Sequence, residues 1–316
     1  MTRVAAIDCG TNSIRLLVAD VPAEGGHTDL LRRMEVVRLG QGVDATGRLA
    51  PEAVERTRLV LAEYAAAARD LGAEDVRMVA TSATRDAANR ADFEEMVRTT
   101  LGRAPDVVTG REEAELSFLG ATGSLAAAAA AHGLEPAAAP WLVVDIGGGS
   151  TEFVLGDGRG VAAARSVDIG CVRLTERHLH DDPPTVEQVA ATERDIRAAL
   201  VEVAAEVPVG RAASLVGLAG SVTTVAALAL GLPAYDSEAI HGSRIAVDDV
   251  RRVSSGLLAA TRERRAAEPV MHPGRVDVIG AGALVLRVLM DEFSLAEVTV
   301  SEHDILDGIA LRLARG

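Results

Sequence analysis

The sequence predicts a two-lobed α/β protein, and three observations lead there. At 316 residues the chain exceeds the size at which a single hydrophobic core keeps growing, so two cores are expected. Short apolar runs alternate with longer runs of helical period, as in α/β units. One supersecondary pattern also occurs twice. VAAIDCGTNSIRLLVAD and LVVDIGGGSTEFVLGD each read as an apolar strand, an Asp, a glycine-containing turn with Ser or Thr, and a second apolar strand.

In the first half, VAAID (4–8) and IRLLVAD (14–20) read as adjacent strands, and HTDLLRRMEVVRLG (27–40) as a third after a Gly-Gly turn. PEAVERTRLVLAEYAAAARDLG (51–72) is a helix with Pro51 at its start and Gly72 just past its end. A strand at 75–81, a helix at 86–102, a strand at 105–110 and a helix at 111–125 complete the first α/β unit. AAAAAAHGLEPAAAP (126–140) is a low-complexity connection; its first half prolongs a helix and its second half, with two prolines, is a surface link. The pattern restarts with a strand, turn and strand at 141–158 and a third strand at 160–170. A helix at 185–206 and a strand turning into a helix at 214–231 follow. The expected lobes are 1–125 and 141–302, with an amphipathic helix at 303–316 packing back on the first lobe and a cleft between the two.

Composition narrows the function. Apolar residues make up 48% of the chain and aromatics only 2%, so the cores are built from Ala, Val and Leu. The sequence contains no Lys, which excludes a phosphate loop of the Walker-A type. A net charge of −14 argues against a general nucleic-acid or membrane-surface binder. Cys9 and Cys171 cannot build a disulfide framework and fit a reducing cytosol. No signal peptide is legible and no apolar run is read as reaching membrane-spanning length, so a cytoplasmic protein is expected.

The two turns suggest phosphate chemistry. A glycine turn with Ser or Thr after a strand frees backbone N–H groups and lets a phosphate come close. Asp8 and Asp145 at the strand ends offer hard oxygen ligands to a cation, and Glu152 adds a second carboxylate beside Asp145. AGSVTT (219–224) is a third such turn, entering a helix with Gly220 and Ser221 at its N-terminus. The plain alternative for each is a hairpin or helix start that needs glycine only for curvature. Cys9 and Arg15 also stand at the spacing of a cysteine-phosphatase loop. That loop leads into a helix, however, whereas Leu-Leu-Val-Ala-Asp after Arg15 reads as a strand, and the second copy of the turn has Ile146 in the place of Cys9. Water is therefore the expected nucleophile. His241, His272 and His303 lack ligand spacing and read as loop or surface residues; Arg262, Arg264 and Arg265 read as a solvated helix face or a patch that steers a polyanion.

Seven segments carry a family resemblance. AIDCGTNSIRLLVAD, ATSATRDAANR, GREEAELSFLGA, LVVDIGGGSTEFVLG, DIGCVRLTE, GLAGSVTT and VSEHDILDGIAL, in this order, resemble the exopolyphosphatase/guanosine-pentaphosphate phosphohydrolase (Ppx/GppA) family in its short form. The duplicated turns resemble the wider superfamily of actin, Hsp70 and sugar kinases, with ribonuclease-H-like lobes.

The resemblance implies a hydrolase that releases terminal phosphate from inorganic polyphosphate, the 5′ phosphate of guanosine pentaphosphate, or both. It implies Glu113 as the group that orients or deprotonates the attacking water, and Asp145 and Glu152 as holders of Mg²⁺ or Mn²⁺. Arg15 and Arg85 match arginines that contact the phosphate chain. Asn12, Ser13, Gly147, Gly148, Gly149, Ser150 and Thr151 match the phosphate-binding turns. Thr11 stands where relatives have Ser and keeps the hydroxyl; Cys9 inherits no role. Without the resemblance, Glu112, Glu113 and Glu115 read as an acidic first helical turn, and Arg15 and Arg85 as structural ion-pair partners. Two other readings stay open, a sensor that binds these phosphates without turnover and an ATP-dependent phosphotransferase. A homodimer is also left open.

Overall fold

The computed structural model describes residues 1–22 and 26–314, so Gly25 of the expected Gly-Gly turn and the last two residues of the expected C-terminal helix lie outside it. The chain divides into two units, Met1–Gly123 with Asp304–Gly316, and Ser124–His303. In chain order the elements up to the end of the first stretch are β1 (Thr2–Cys9), β2 (Ser13–Val21), β3 (Thr28–Val36), α1 (Val43–Thr46), α2 (Pro51–Asp70), β4 (Asp75–Ala80), α3 (Ser82–Asp86), α4 (Arg90–Leu101), β5 (Asp106–Val107) and α5 (Gly110–Thr122). The second unit holds α6 (Leu125–Ala131), β6 (Trp141–Ile146), β7 (Thr151–Asp157), β8 (Gly160–Val167), α7 (Cys171–His178), α8 (Val186–Glu206), β9 (Ser214–Leu218) and α9 (Ala219–Ala229). It continues with α10 (Ser237–Ile240), β10 (Arg244–Ala246), α11 (Val247–Ala259), α12 (Arg262–Ala266), α13 (Ile279–Glu292) and β11 (Glu297–Val300), after which α14 (Ile305–Leu313) returns to the first unit.

The first unit is a five-stranded sheet in the order β3-β2-β1-β4-β5, with β1, β2 and β3 antiparallel and β4 and β5 added parallel. Strand alternation sends Ala5, Ile7, Cys9, Ile14, Leu16 and Val18 into one core with Leu61 and Tyr64 of α2 and Phe93 and Val97 of α4. Val4, Ala6, Leu17, Ala19 and Val21 face a second core with Leu116 of α5 and Ile305, Leu306 and Ile309 of α14. Each fully buried Leu, Ile or Phe contributes about 1.5–3 kcal/mol. The helices α5 and α14 approach closely at a pair of glycines: a Cβ on Gly120 would overlap the Asp304 carbonyl, and one on Gly308 would overlap the Leu116 carbonyl.

The second unit repeats this plan. Its sheet runs β10-β11-β9-β6-β7-β8, and β8-β7-β6-β9-β11 reproduces the five-strand order of the first unit, with β10 added antiparallel at one edge. Its core is centred on α13, buried on every side from Ile279 to Leu286. A helix apolar all round shows no amphipathic stripe in sequence.

Several expectations change in detail. The helix expected over 86–102 is α4, which starts only at Arg90; the short helix α3 before it was not expected, and β3 stops at Val36. The helix α7 was not expected; its first N–H groups are capped from elsewhere in the chain, as shown below. The connection is not wholly on the surface: Ala137 is buried and its carbonyl accepts the Trp141 indole N–H at 2.8 Å. Contrary to the expectation for apolar runs, the helical stretch Gly110–Ala131 has the length and apolarity to cross a membrane, but half of its most apolar window is buried in protein. Arg265 is not on a solvated face; it is buried and donates to the carbonyls of Val276 and Ala260 and to Asp182. His241 and His303 are half-buried and stacked at 4.6 Å.

Candidate active site

In the first unit the turn between β1 and β2 is closed by the Gly10 N–H on the Ser13 carbonyl at 3.0 Å. The Asn12 carbonyl accepts from the N–H groups of Val37 and Arg38, and the Thr11 carbonyl from that of Gly40. The Thr11 and Ser82 hydroxyls are 3.0 Å apart, so this turn is tied to both the 37–40 segment and α3. Asp8 and Arg15 lie directly opposite each other across the β1–β2 pair, on the face that carries α5 and α14. Asp8 Oδ2 accepts from Arg15 Nε at 2.9 Å and Nη2 at 2.7 Å, and Arg15 Nη1 donates to Asp304 Oδ2. Arg15 is thus held by two carboxylates at the mouth of the turn. Asp8 Oδ1 is buried without a hydrogen-bond partner, and burial raises its carboxyl above the ordinary value, with the Arg15 charge opposing.

Cys9 points to the other face, into the core, and burial raises its thiol far above the ordinary range. A buried thiol kept protonated is no nucleophile. The cysteine-phosphatase spacing is therefore a coincidence of a strand–turn–strand.

The same unit brings Arg85 and Glu113 together. β4 runs parallel to β1 with Val79 opposite Asp8, and α3 starts two residues beyond β4, so Arg85 follows at that end of the sheet. Arg85 Nη1 donates to Glu113 Oε2 at 3.1 Å and to the Val108 carbonyl at 3.0 Å. The three glutamates of GREEAE separate by role. Glu112 forms the capping box with Thr109, Glu115 accepts from Arg111 one turn away, and Glu113 turns inward, 8% exposed. Of the three, only Glu113 is a buried carboxylate with an arginine beside it.

In the second unit Asp145 and Glu152 occupy the place of Asp8 and Arg15, directly opposite across β6 and β7. Opposed residues of an antiparallel pair share a face with Cβ atoms about 4.5–5.5 Å apart. Asp145 is 9% exposed and Glu152 1% exposed. Ser166, opposite Glu152 on β8, donates its hydroxyl to Glu152 Oε1 at 2.7 Å.

The turn Gly147–Gly148–Gly149–Ser150 is closed by the Gly147 N–H on the Ser150 carbonyl at 3.1 Å. Its carbonyls cap α7: Cys171 donates to Gly147, Val172 and Arg173 to Gly148, and Arg173 Nε to Gly149. A Cβ on Gly170 would overlap the backbone of Gly148 and Gly149. Thr151 donates to the Ile169 carbonyl at 3.1 Å, and Ser150 is buried beside it.

The third turn lies at the same sheet end, since Leu218 is opposite Asp145 and α9 starts at the next residue. Ala219 there has φ +66°, a left-handed conformation costly for a residue with a side chain. The Arg275 guanidinium covers Gly220, where any Cβ would overlap it, and Nη1 donates to the Thr224 hydroxyl at 3.2 Å. Ser221 turns its hydroxyl toward Cys171 and Gly282.

The donor set fits a divalent cation. Asp145 and Glu152 are neighbouring buried carboxylates of like charge, which a hard cation stabilises. In the first unit, separately, Asp8 keeps one buried oxygen that no hydrogen bond satisfies. Asp304, Ser166, Arg173 and Arg275 were not expected. The Asp304–Arg15 pair spans 289 residues, and no local pattern reports such a partner.

The sequence model of the Ppx/GppA phosphatase family matches residues 17–315. The chain belongs to this family. The match begins just after the first turn and Arg15, but a relative covers that part too. Exopolyphosphatase 2 of Mycobacterium tuberculosis is 53% identical over 326 aligned residues, covering 99% of this chain and 99% of that protein. Exopolyphosphatase 1 of the same organism is 28% identical, over 98% of this chain and 88% of its own. Among solved structures, an exopolyphosphatase-like protein superposes with a TM-score of 0.93 at 41% identity, covering 99% of each chain. The Ppx/GppA family member of Aquifex aeolicus gives 0.78 at 30% identity, over 99% of this chain and 98% of its own. The fold is thus the two-unit α/β fold of the Ppx/GppA family.

Proposed function

We propose that this Ppx/GppA family member hydrolyses the terminal phosphoanhydride bond of inorganic polyphosphate by attack of a water on the end phosphate. The observation that carries the reading is the Glu113–Arg85 pair: one glutamate of three is buried, and it sits 3.1 Å from an arginine. A relative named for exopolyphosphatase at 53% identity supports polyphosphate as the substrate. The 5′ end of guanosine pentaphosphate presents the same anhydride and is the second substrate to compare.

Phosphoanhydride hydrolysis needs a placed water, an in-line leaving group and positive charge over the equatorial oxygens. Glu113 orients the water and takes its proton, which contributes about 10²–10⁴-fold. Arg85 fixes the Glu113 rotamer, and Arg85 and Arg15 offer planar donors to phosphate oxygens. Asp145 and Glu152 would hold Mg²⁺ or Mn²⁺, which supplies the remaining charge when bound. The turns 10–13 and 147–151 and the Gly220 helix start bring backbone N–H groups to phosphate.

The test is phosphate release from short and long polyphosphate, guanosine pentaphosphate and ATP, with Mg²⁺ and with EDTA. Metal-dependent release from polyphosphate is expected, lowered about 10²–10⁴-fold in Glu113→Gln and kept in Cys9→Ser. Binding of these phosphates without release would make the chain a sensor. Transfer from ATP to an acceptor would make it a phosphotransferase.

A further inference from the structure

We propose that Asp304 is a positioning residue for Arg15, holding its guanidinium in the orientation that meets a substrate phosphate. The proposal rests on the reading that Arg15 contacts polyphosphate.

Arg15 is anchored on two sides. The Nε and Nη2 edge binds Asp8 on the neighbouring strand, and Nη1 binds Asp304 at the N-cap of α14. An arginine side chain carries considerable rotamer entropy, and an anchor at each end removes that freedom before substrate arrives. With Asp8 alone, the guanidinium keeps one fixed edge and can swing about it.

Asp304 is itself held. It is buried, its Oδ1 accepts the Leu306 N–H at 3.0 Å, and its own N–H donates to Asp307 Oδ2 at 2.8 Å. Asp307 is fully buried and is paired through Oδ1 with Arg32 and with His27 at 3.0 Å. The Gly120–Gly308 contact fixes the first turn of α14 against α5. The sequence position of Asp304, in the closing helix, therefore becomes a fixed point for a strand residue near the start of the chain.

Asp304→Asn separates this role from helix capping. The amide oxygen still caps the Leu306 N–H, while the amide N–H₂ presents a donor to Arg15 instead of an acceptor. Tripolyphosphate binding is measured by calorimetry in EDTA, and KM and kcat are measured on long polyphosphate with Mg²⁺, for wild type, Asp304→Asn, Arg15→Ala and the double variant. Asp304→Asn is expected to weaken tripolyphosphate binding and to raise KM about tenfold, with kcat changed less than threefold and thermal stability close to wild type. In the Arg15→Ala background the same substitution is expected to change binding less than twofold, because its effect acts through Arg15.

Unchanged or tighter binding in Asp304→Asn overturns the proposal. So does an equal loss with and without Arg15, or a loss that follows the melting temperature, since either would make Asp304 structural only. A wild-type chain that neither binds nor hydrolyses polyphosphate overturns the functional reading itself, and the proposal with it.

Discussion

Two rows of side chains stand at matching places in the two sheets and differ in charge. In the first unit the row across β1, β2 and β3 is Asp8, Arg15 and Met34. In the second, across β6, β7 and β8, it is Asp145, Glu152 and Ser166. The scaffold is the same strand–turn–strand, and a single exchange, Arg15 for Glu152, turns a neutralised pair into an adjacent pair of carboxylates. The first row presents an arginine whose charge carboxylates of the protein already engage. The second presents two buried acceptors and one hydroxyl donor, suited to a cation. A duplicated fold thus carries an ion pair at this place in one copy and two carboxylates in the other.

The largest expected effect comes from removing charge in the second row. Asp145→Asn should lower metal-dependent phosphate release by more than about 10²-fold, since a cation contributes several kcal/mol of charge stabilisation. Asp8→Asn, the same change at the matching place, should cost less and act on KM, because the Asp8 charge is engaged by Arg15. A Mg²⁺ titration of both variants checks this. Equal loss of metal dependence would show that the two rows are not specialised.

This contrast was partly legible in sequence. The two turns were readable because each lies in a short stretch with strand alternation on both sides, and Asp8, Arg15, Asp145 and Glu152 follow from the repeat. The choice of Glu113 was not readable from residues alone; three glutamates in one helical turn look alike until the capping box engages Glu112 and Arg111 engages Glu115. The N-cap pattern around Asp304 is local, but its partner Arg15 is not. Helix α7 escaped notice because its cap is the carbonyls of a turn more than twenty residues earlier, and α3 because five residues carry no period.

Close glycine contacts and side-chain hydrogen bonds support both rows. Gly308→Ala would push a methyl into the Leu116 carbonyl, and Gly170→Ala one into the glycine turn. Overpacking of this kind costs about 1–3 kcal/mol or more, read as lowered melting temperatures for both. Gly170→Ala should also weaken Mg²⁺ activation, since the turn it displaces joins Asp145 to Glu152. Ser166→Ala gives a smaller effect: it removes the donor that fixes Glu152, and loss of such an outer partner weakens metal binding about 10–100-fold. A Mg²⁺ affinity unchanged in Ser166→Ala would mean that the strand pairing alone sets the carboxylate.

The smallest expected effect concerns pH and belongs to the first unit alone. His27, with a side chain only 6% exposed, contacts Asp29 and Asp307, and hydrogen bonds to these two carboxylates raise its pKa to about 9. A pKa raised on folding adds stability that is complete below the unfolded value of about 6.5 and is lost as pH rises through about 9. Discounted for solvent screening, the loss between pH 7 and 10 is about 1 kcal/mol. Asp307 supports Asp304, so the weakening should reach α14 and the Arg15 strand, while β7 and α7, tied through backbone groups that do not titrate, should not follow. Hydrogen exchange at pH 7 and 9, corrected for intrinsic rates, should show faster opening of α14 and β2 relative to β7 and α7. In His27→Gln the difference between the units should disappear; if it persists, the pH sensitivity lies elsewhere in the first unit.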